Sequence, residues 1–173
     1  MVELTIGREY LQLSAKAFLS LKTMAEKAFG QLSEQDYHWQ PDPESNSIAI
    51  LIQHLSGGMI SRWTDFLTSD GEKETRNRDS EFIDSSVSSE KLMNRWNEGW
   101  QILFETLGSL RESDLLRTVT IRGEPHSVMK AINRAMAHTA MHVGQIVYIA
   151  KQIKAAQWVT LSIPRGKSEN WRP

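Results

Sequence analysis

Cysteine is absent from the 173-residue chain. Disulfides and zinc–thiolate sites are thereby excluded, and any thiol chemistry needs a thiol brought by a substrate. Clustered positive charge is absent too: 20 Lys and Arg stand against 21 Asp and Glu, a formal net charge of -1, with no basic run. Nucleic acid and anionic membranes both select for clustered cations, so neither is an expected partner. No apolar stretch approaches the roughly 20 residues of a membrane span. The opening "MVELTIGREYLQLSAKAF" carries Glu3, Arg8, Glu9 and Lys16 where a signal peptide would have its apolar core. These absences leave a single cytoplasmic domain over residues 1–173 as the expectation, long enough to bury a core without covalent staples.

What is present is helical periodicity. From about Leu4 to Phe29, Leu11, Ala15, Phe18, Ala25 and Phe29 recur at threes and fours, and Gly30 closes the run. "LSEQDYHWQPDPESNS" then reads as a loop. A second helix starts after Asn46 or Ser47 as N-cap, with Ile48, Ile52, Leu55, Met59, Trp63 and Phe66 inward. "DGEKETRNRDSEF" is too charged and too broken by Gly and Asn for a core, and reads as a long crossover. A third helix from Ser88 or Ser89 to about Leu110 presents Leu92, Trp96, Trp100, Leu103, Phe104 and Leu107. Val119 and Ile121 alternate with polar residues before Arg122-Gly123-Glu124, a small hairpin signal. A fourth helix runs from about Ser127 to Lys154, and "WVTLSIPRGKSENW" is an irregular tail. This pattern predicts an all-α four-helix bundle with a small hairpin before the fourth helix. The long crossover lets the second and third helices run parallel.

The inward stripe of the fourth helix is Val128, Ala131 or Ile132, Ala135, His138, His142, Ile146, Ile149 and Ile153. Side chains at i and i+4 stand about 5–6 Å apart at Cβ, so two imidazoles there can converge on one ion at about 2.0–2.1 Å. A lone histidine on an apolar face is ordinarily a hydrogen-bonded core residue. A third one, His54, lies midway along the second helix in "LIQHLSGGMISRW", and packing of the two helices would bring all three together. Gly57 and Gly58 lie about one turn beyond His54, where they leave room for a metal and a ligand or permit close helix packing. His38, in "DYHWQPD", is discounted. His126, surface-exposed or capping the fourth helix, is the alternative ligand if one of the three fails.

The triad, "HTAMHVGQI", "ESNSIAILIQHLSGGMISRW", "DGEKETRNRDSEF" and "TLSIPRGKSE" together resemble the DinB-like (YfiT-like) metalloprotein superfamily, in a branch of uncharacterised function. Gly58 departs from the asparagine of that branch. The resemblance implies an antiparallel four-helix bundle, a divalent ion on His54, His138 and His142, and frequent homodimers. Trp158 and Trp171, flanking the tail, could pack across the bundle or into a partner chain.

Three neutral imidazoles leave an ion its full charge and an open position, the catalytic rather than the structural arrangement. Imidazole suits several divalent transition metals, with Zn or Ni expected here. Such an ion lowers the pKa of bound water towards about 7, and does the same for a thiol. Relatives in the superfamily act with low-molecular-weight thiols, so the resemblance implies a thiol-dependent S-transferase acting on a small-molecule substrate. A hydrolase using metal-bound water and a non-catalytic metal-binding dimeric stress protein are the alternatives. No general base is evident: Asp65, Glu72, Glu74 and Glu81 lie in or near the crossover, and charged loop residues are usually solvated. Gln145, one turn beyond His142, is placed either to orient a ligand or substrate or to form a polar flank.

Overall fold

Residues 5–170 are described by a computed structural model. Thr5 accepts from the Arg8 amide and starts α1 (Ile6–Phe29), which Gly30 ends. Leu4, included in the expected first helix, and Trp171 of the tail lie outside the described residues. The loop that follows contains a 3-10 turn, Glu34–His38. Ser47 caps α2 (Ile48–Trp63), Ser88 precedes α3 (Ser89–Ser109), and Ser127 caps α4 (Val128–Lys154). Each side chain at Ser47 and Ser127 accepts one of the amides that a helix start leaves without an intrahelical partner. Between α3 and α4, β1 (Thr118–Ile121) and β2 (Glu124–Ser127) pair antiparallel. Positive φ at Arg122 (57°) and Gly123 (73°) makes the tight turn, which is the work of the Gly123 signal.

Pairs of contacts give the direction of each helix. Gly99 of α3 lies against Ser56 and Met59 of α2. Further along both, Thr106 donates to the Trp63 carbonyl at 2.9 Å. The two helices therefore run parallel, as the crossover implies. The chain must return the length of α2, about 24 Å at 1.5 Å per residue, before α3 can start beside it. Likewise Tyr10 reaches Asn133 Oδ1 at 2.7 Å near the start of α1 and α4, and Gln31 pairs with Val159 at 3.0 and 2.8 Å beyond their ends. Between the two layers the sense reverses: Phe29 meets Trp96 at 5.2 Å and Phe18 meets Trp100 at 6.2 Å between ring centroids. The bundle is parallel within each layer and antiparallel across them.

The core is aromatic at the centre. Trp63, Trp96, Trp100 and Phe18 are fully buried, and Phe18 meets Trp63 and Trp100 edge-on. Each such contact adds about 0.5–1.5 kcal/mol beyond the area it buries. Two expectations shift in detail. The helix α2 ends at Trp63, where Thr64 turns extended, and Phe66 re-enters the core by packing on the Trp63 ring at 4.7 Å. His126 is neither exposed nor a cap. It is buried on β2, and neither ring nitrogen has a hydrogen-bond partner among the described residues. The tail packs back on the bundle through Trp158 and Leu161.

The crossover is pinned at both ends. Asp84 accepts from Ser47 Oγ at 3.0 Å, and His38 Nδ1 lies 2.7 Å from the same carboxylate. At the other end Asp70 accepts from the Arg122 and Gly123 amides, each at 2.8 Å. Those amides and that of Glu72 hold the Asp70 carboxyl down at about 2. The connection therefore lies against α2 and the hairpin, over the middle of the bundle. No described helix is long and apolar enough to cross a membrane.

Candidate metal centre

His54 of α2 meets His138 and His142 of α4 at mid-bundle. The Nε2 atoms of His54 and His142 stand 3.2 and 3.1 Å from that of His138, and the ligating nitrogens of all three lie within 4.8 Å of one another. His54 and His142 are buried, and His138 is the most exposed. The i, i+4 spacing sets the α4 pair, whose ring centroids are 4.5 Å apart. Antiparallel packing of α2 on α4 supplies the third ring, with centroid distances of 5.1 and 5.0 Å.

The outer nitrogens determine what the inner ones can do. Glu81 accepts from His54 Nδ1 at 3.0 Å, and Gln145 Oε1 accepts from His142 Nδ1 at 2.7 Å. A neutral imidazole carries one proton, so both rings present bare Nε2 lone pairs to the centre. Facing His138 Nε2, those two lone pairs are satisfied either by the one proton of a neutral His138 ring or by a cation held among the three nitrogens. Four nitrogens about 2.0–2.1 Å from a tetrahedral ion stand about 3.3 Å apart, close to the spacing seen. The donor set thus fits a divalent metal: three histidines close enough to hold one, with outer nitrogens fixed as metal-binding histidines usually are. Burial, reinforced by the neighbouring His142 and His54, pulls the His138 pKa down to about 4. Burial also lowers that of His142, against the opposing pull of Gln145. Both rings are neutral at pH 7, the form that ligates.

The carboxylate behind His54 comes from the crossover. Glu81 lies in the 3-10 turn Asp79–Phe82 and is only 5 % exposed. Arg76 grips it with two bonds, Nε–Oε1 at 2.8 Å and Nη2–Oε2 at 2.7 Å. Arg76 also holds Glu72 at 3.1 Å. Burial alone would raise the Glu81 pKa, but the hydrogen bonds from His54 and Arg76 outweigh it and keep the carboxyl ionised. Phe82 packs on the His54 ring at 4.7 Å.

Of the four acidic residues in or near the crossover, Glu81 bonds a triad histidine directly and Glu72 supports it through Arg76. Asp65 and Glu74 are exposed and bond none of the three. The room expected beside Gly57 is filled. A Cβ there would stand 2.1 Å from Glu81 Oε1, so the glycine admits the carboxylate rather than a metal ligand. Gly58 lines a cleft of about 190 Å³ together with His54, and a Cβ there would stand 3.3 Å from Arg76 Nη2. His38 is tied to Asp84 and to the Val87 carbonyl, and His126 stays on the hairpin; neither joins the triad. The sequence reading missed the arginines around the cleft. Arg134, one helical turn before His138, and Arg62, about two turns after His54, carried the available signal.

Fold and site together define a helical bundle with a histidine pocket between α2 and α4 able to hold a metal ion. Residues 5–167 match the family described as "Protein of unknown function (DUF1572)", and the chain belongs to it. That family lies in the DinB/YfiT-like superfamily. No curated protein matches the chain.

Replacing a helical glycine by alanine gains up to about 1 kcal/mol where the Cβ has space. Gly144→Ala on α4, with nothing within 4 Å, should show that gain. Gly57→Ala should instead lose about 1–3 kcal/mol, because the Cβ displaces a buried paired carboxylate. Urea unfolding of both variants checks it: equal stabilisation by the two would show that Glu81 is not held against Gly57.

Proposed function

We propose that this chain is a metal-dependent enzyme, a small-thiol-dependent S-transferase with Zn or Ni on His54, His138 and His142. The observation that carries the reading is the convergence of three imidazole Nε2 atoms beside a cleft, two of them left bare by the outer bonds to Glu81 and Gln145. Two of the rings are buried, and the cleft opens at His54 and His138. Bound there, a divalent ion supplies a Lewis acid with an open position, which makes a thiol or water more acidic.

The chain's own residues support a thiol over water. With no cysteine, the nucleophile arrives from solution. Glu81 is the carboxylate bonded to the triad, and its oxygens are occupied by His54 and Arg76, so it is not free to take a proton. A thiol, with an ordinary pKa of about 8.5, needs far less help to ionise than water at about 15.7. Glu81 and Gln145 act through their histidines, fixing tautomer and ring orientation. Trp63, Leu55 and Met59 line the cleft and exclude water from one side. In the transfer, the thiol proton leaves to solvent, sulfur bonds the electrophilic carbon, and the leaving group departs with its electron pair. A homodimer completes the reading. Leu13, Leu19 and Met24 are exposed apolar residues of α1 and offer a face for a second copy.

Elemental analysis of protein purified without an affinity tag should find close to one transition metal per chain. His54→Ala and the pair His138→Ala/His142→Ala should abolish it; full retention in the pair would sink the site.

Light scattering at micromolar concentration should give twice the chain mass. A monomer mass at that concentration counts against the dimer.

For the chemistry, small thiols should perturb the d–d spectrum of cobalt- or nickel-substituted protein at micromolar to millimolar concentration. Consumption of thiol with monochlorobimane should then depend on His138 and His142. Cleavage of ester or amide probes without thiol would point to a hydrolase, and silence of fully metallated protein in both assays to a metal-binding module without turnover.

A further inference from the structure

The cleft beside the histidines is lined by five arginines: Arg62, Arg76, Arg78, Arg122 and Arg134. Two carboxylates answer them. Glu81 and Glu72 pair with Arg76 at 2.7 and 3.1 Å, while Arg122 and Arg62 lie 3.5 and 3.9 Å from Glu72. Arg78 lies over the Phe82 ring at 4.8 Å, and neither it nor Arg134 has an ion pair among the described residues. Five guanidiniums against two carboxylates leave three positive charges uncompensated in one small cleft, before any metal adds its own.

Arg62 is the most informative of them. Its side chain is 15 % exposed, and its Nε is buried without a hydrogen-bond partner. Burial, and then the positive charge of Arg134, pulls its pKa below the usual value. A buried unpartnered donor of a charged group is costly, and like charges gathered around it add to the cost. The chain as a whole is near neutral, so this concentration is local.

We propose that the arginine cleft binds the anionic group, phosphate or carboxylate, of a small molecule whose neighbouring atoms reach the histidine site. Guanidinium forks match the paired oxygens of either group. A volume of about 190 Å³ suits a small organic acid or phosphoester rather than a polymer. Leu55, Met59, Trp63 and Ala135 provide apolar walls for the carbon part. His54 and His138 line the same cleft, so a molecule anchored by its anion lies alongside the proposed metal. The orientation towards the metal rests on the transferase reading; the anion site itself stands on the arginines alone.

Titration calorimetry with inorganic phosphate and with malonate at low salt tests it. The probes go to the metal-loaded chain, to the His138→Ala/His142→Ala pair, and to Arg62→Gln and Arg134→Gln. Binding should be present in wild type and in the histidine pair. It should weaken about tenfold in each arginine variant, the loss of one charge-assisted hydrogen bond, and should fall with added salt. Metal content should be unchanged in the arginine variants. Tighter phosphate than malonate would identify a phosphoester ligand, the reverse a carboxylate, and either supports the site. If Arg62→Gln does not fold, the exposed Arg134→Gln decides. Absence of binding at millimolar concentration, or equal affinity in wild type and Arg134→Gln, overturns the inference. Loss of metal from the histidine pair with anion binding retained would leave it standing even where thiol transfer fails.

Discussion

The close approach of the Glu81 carboxylate to Gly57 is the constraint on which the histidine site depends. Only a residue without Cβ lets the crossover lie so near α2. Once there, Glu81 fixes the proton of His54 on Nδ1 and leaves Nε2 bare. Arg76 makes that burial tolerable, since an unpaired carboxylate at this depth would cost several kcal/mol. The site is therefore assembled from three layers of polar contact: guanidinium on carboxylate, carboxylate on imidazole, and imidazole on whatever occupies the centre. Each is satisfied by the one outside it.

Topology explains why the crossover carries this role. Parallel packing of α2 on α3 obliges the chain to travel back along the bundle, and the return path crosses the opening between α2 and α4. A tight turn after α2 would give an up-down-up-down bundle with the histidines open to solvent. The connection supplies Glu72, Arg76, Arg78 and Glu81, with Asp70 and Asp84 fixing its ends. Opposite it, the hairpin contributes Arg122 by way of a left-handed turn that Asp70 caps. The cleft thus draws on two helices, one loop and one hairpin, and its positive charge is a sum over all four.

The histidine cluster and the arginine cleft are complementary in their electrostatics. Converging imidazole nitrogens, with His138 and His142 kept neutral by burial, suit a cation; guanidiniums left without carboxylates suit an anion. A molecule carrying an anionic group and an electrophilic or nucleophilic atom could use both at once, with neither demanding that the other relax. The aromatic centre formed by Trp63, Trp96, Trp100 and Phe18 holds α2 against α3 and α1, and so fixes the helix on which His54 is mounted.

The sequence by itself determined the four helices, the turn at Arg122-Gly123, the crossover and the three histidines. All of these are written in local spacing: 3.6-residue apolar stripes, serines at helix starts, and His138 and His142 one turn apart. It also singled out Gly57, as room for a metal and its ligand or for close helix packing, where the structure places the Glu81 carboxylate. What only the tertiary structure decided was which charged crossover residue turns inward, because Glu72, Glu74 and Glu81 are alike as sequence and differ only in where the loop lies. The same holds for the arginines. Arg62, Arg78, Arg122 and Arg134 are far apart in the chain and individually ordinary, and their charges become a feature only when packing brings them to one cleft and leaves too few carboxylates beside them. Local periodicity is a property of neighbours in sequence, whereas uncompensated charge is a property of neighbours in space.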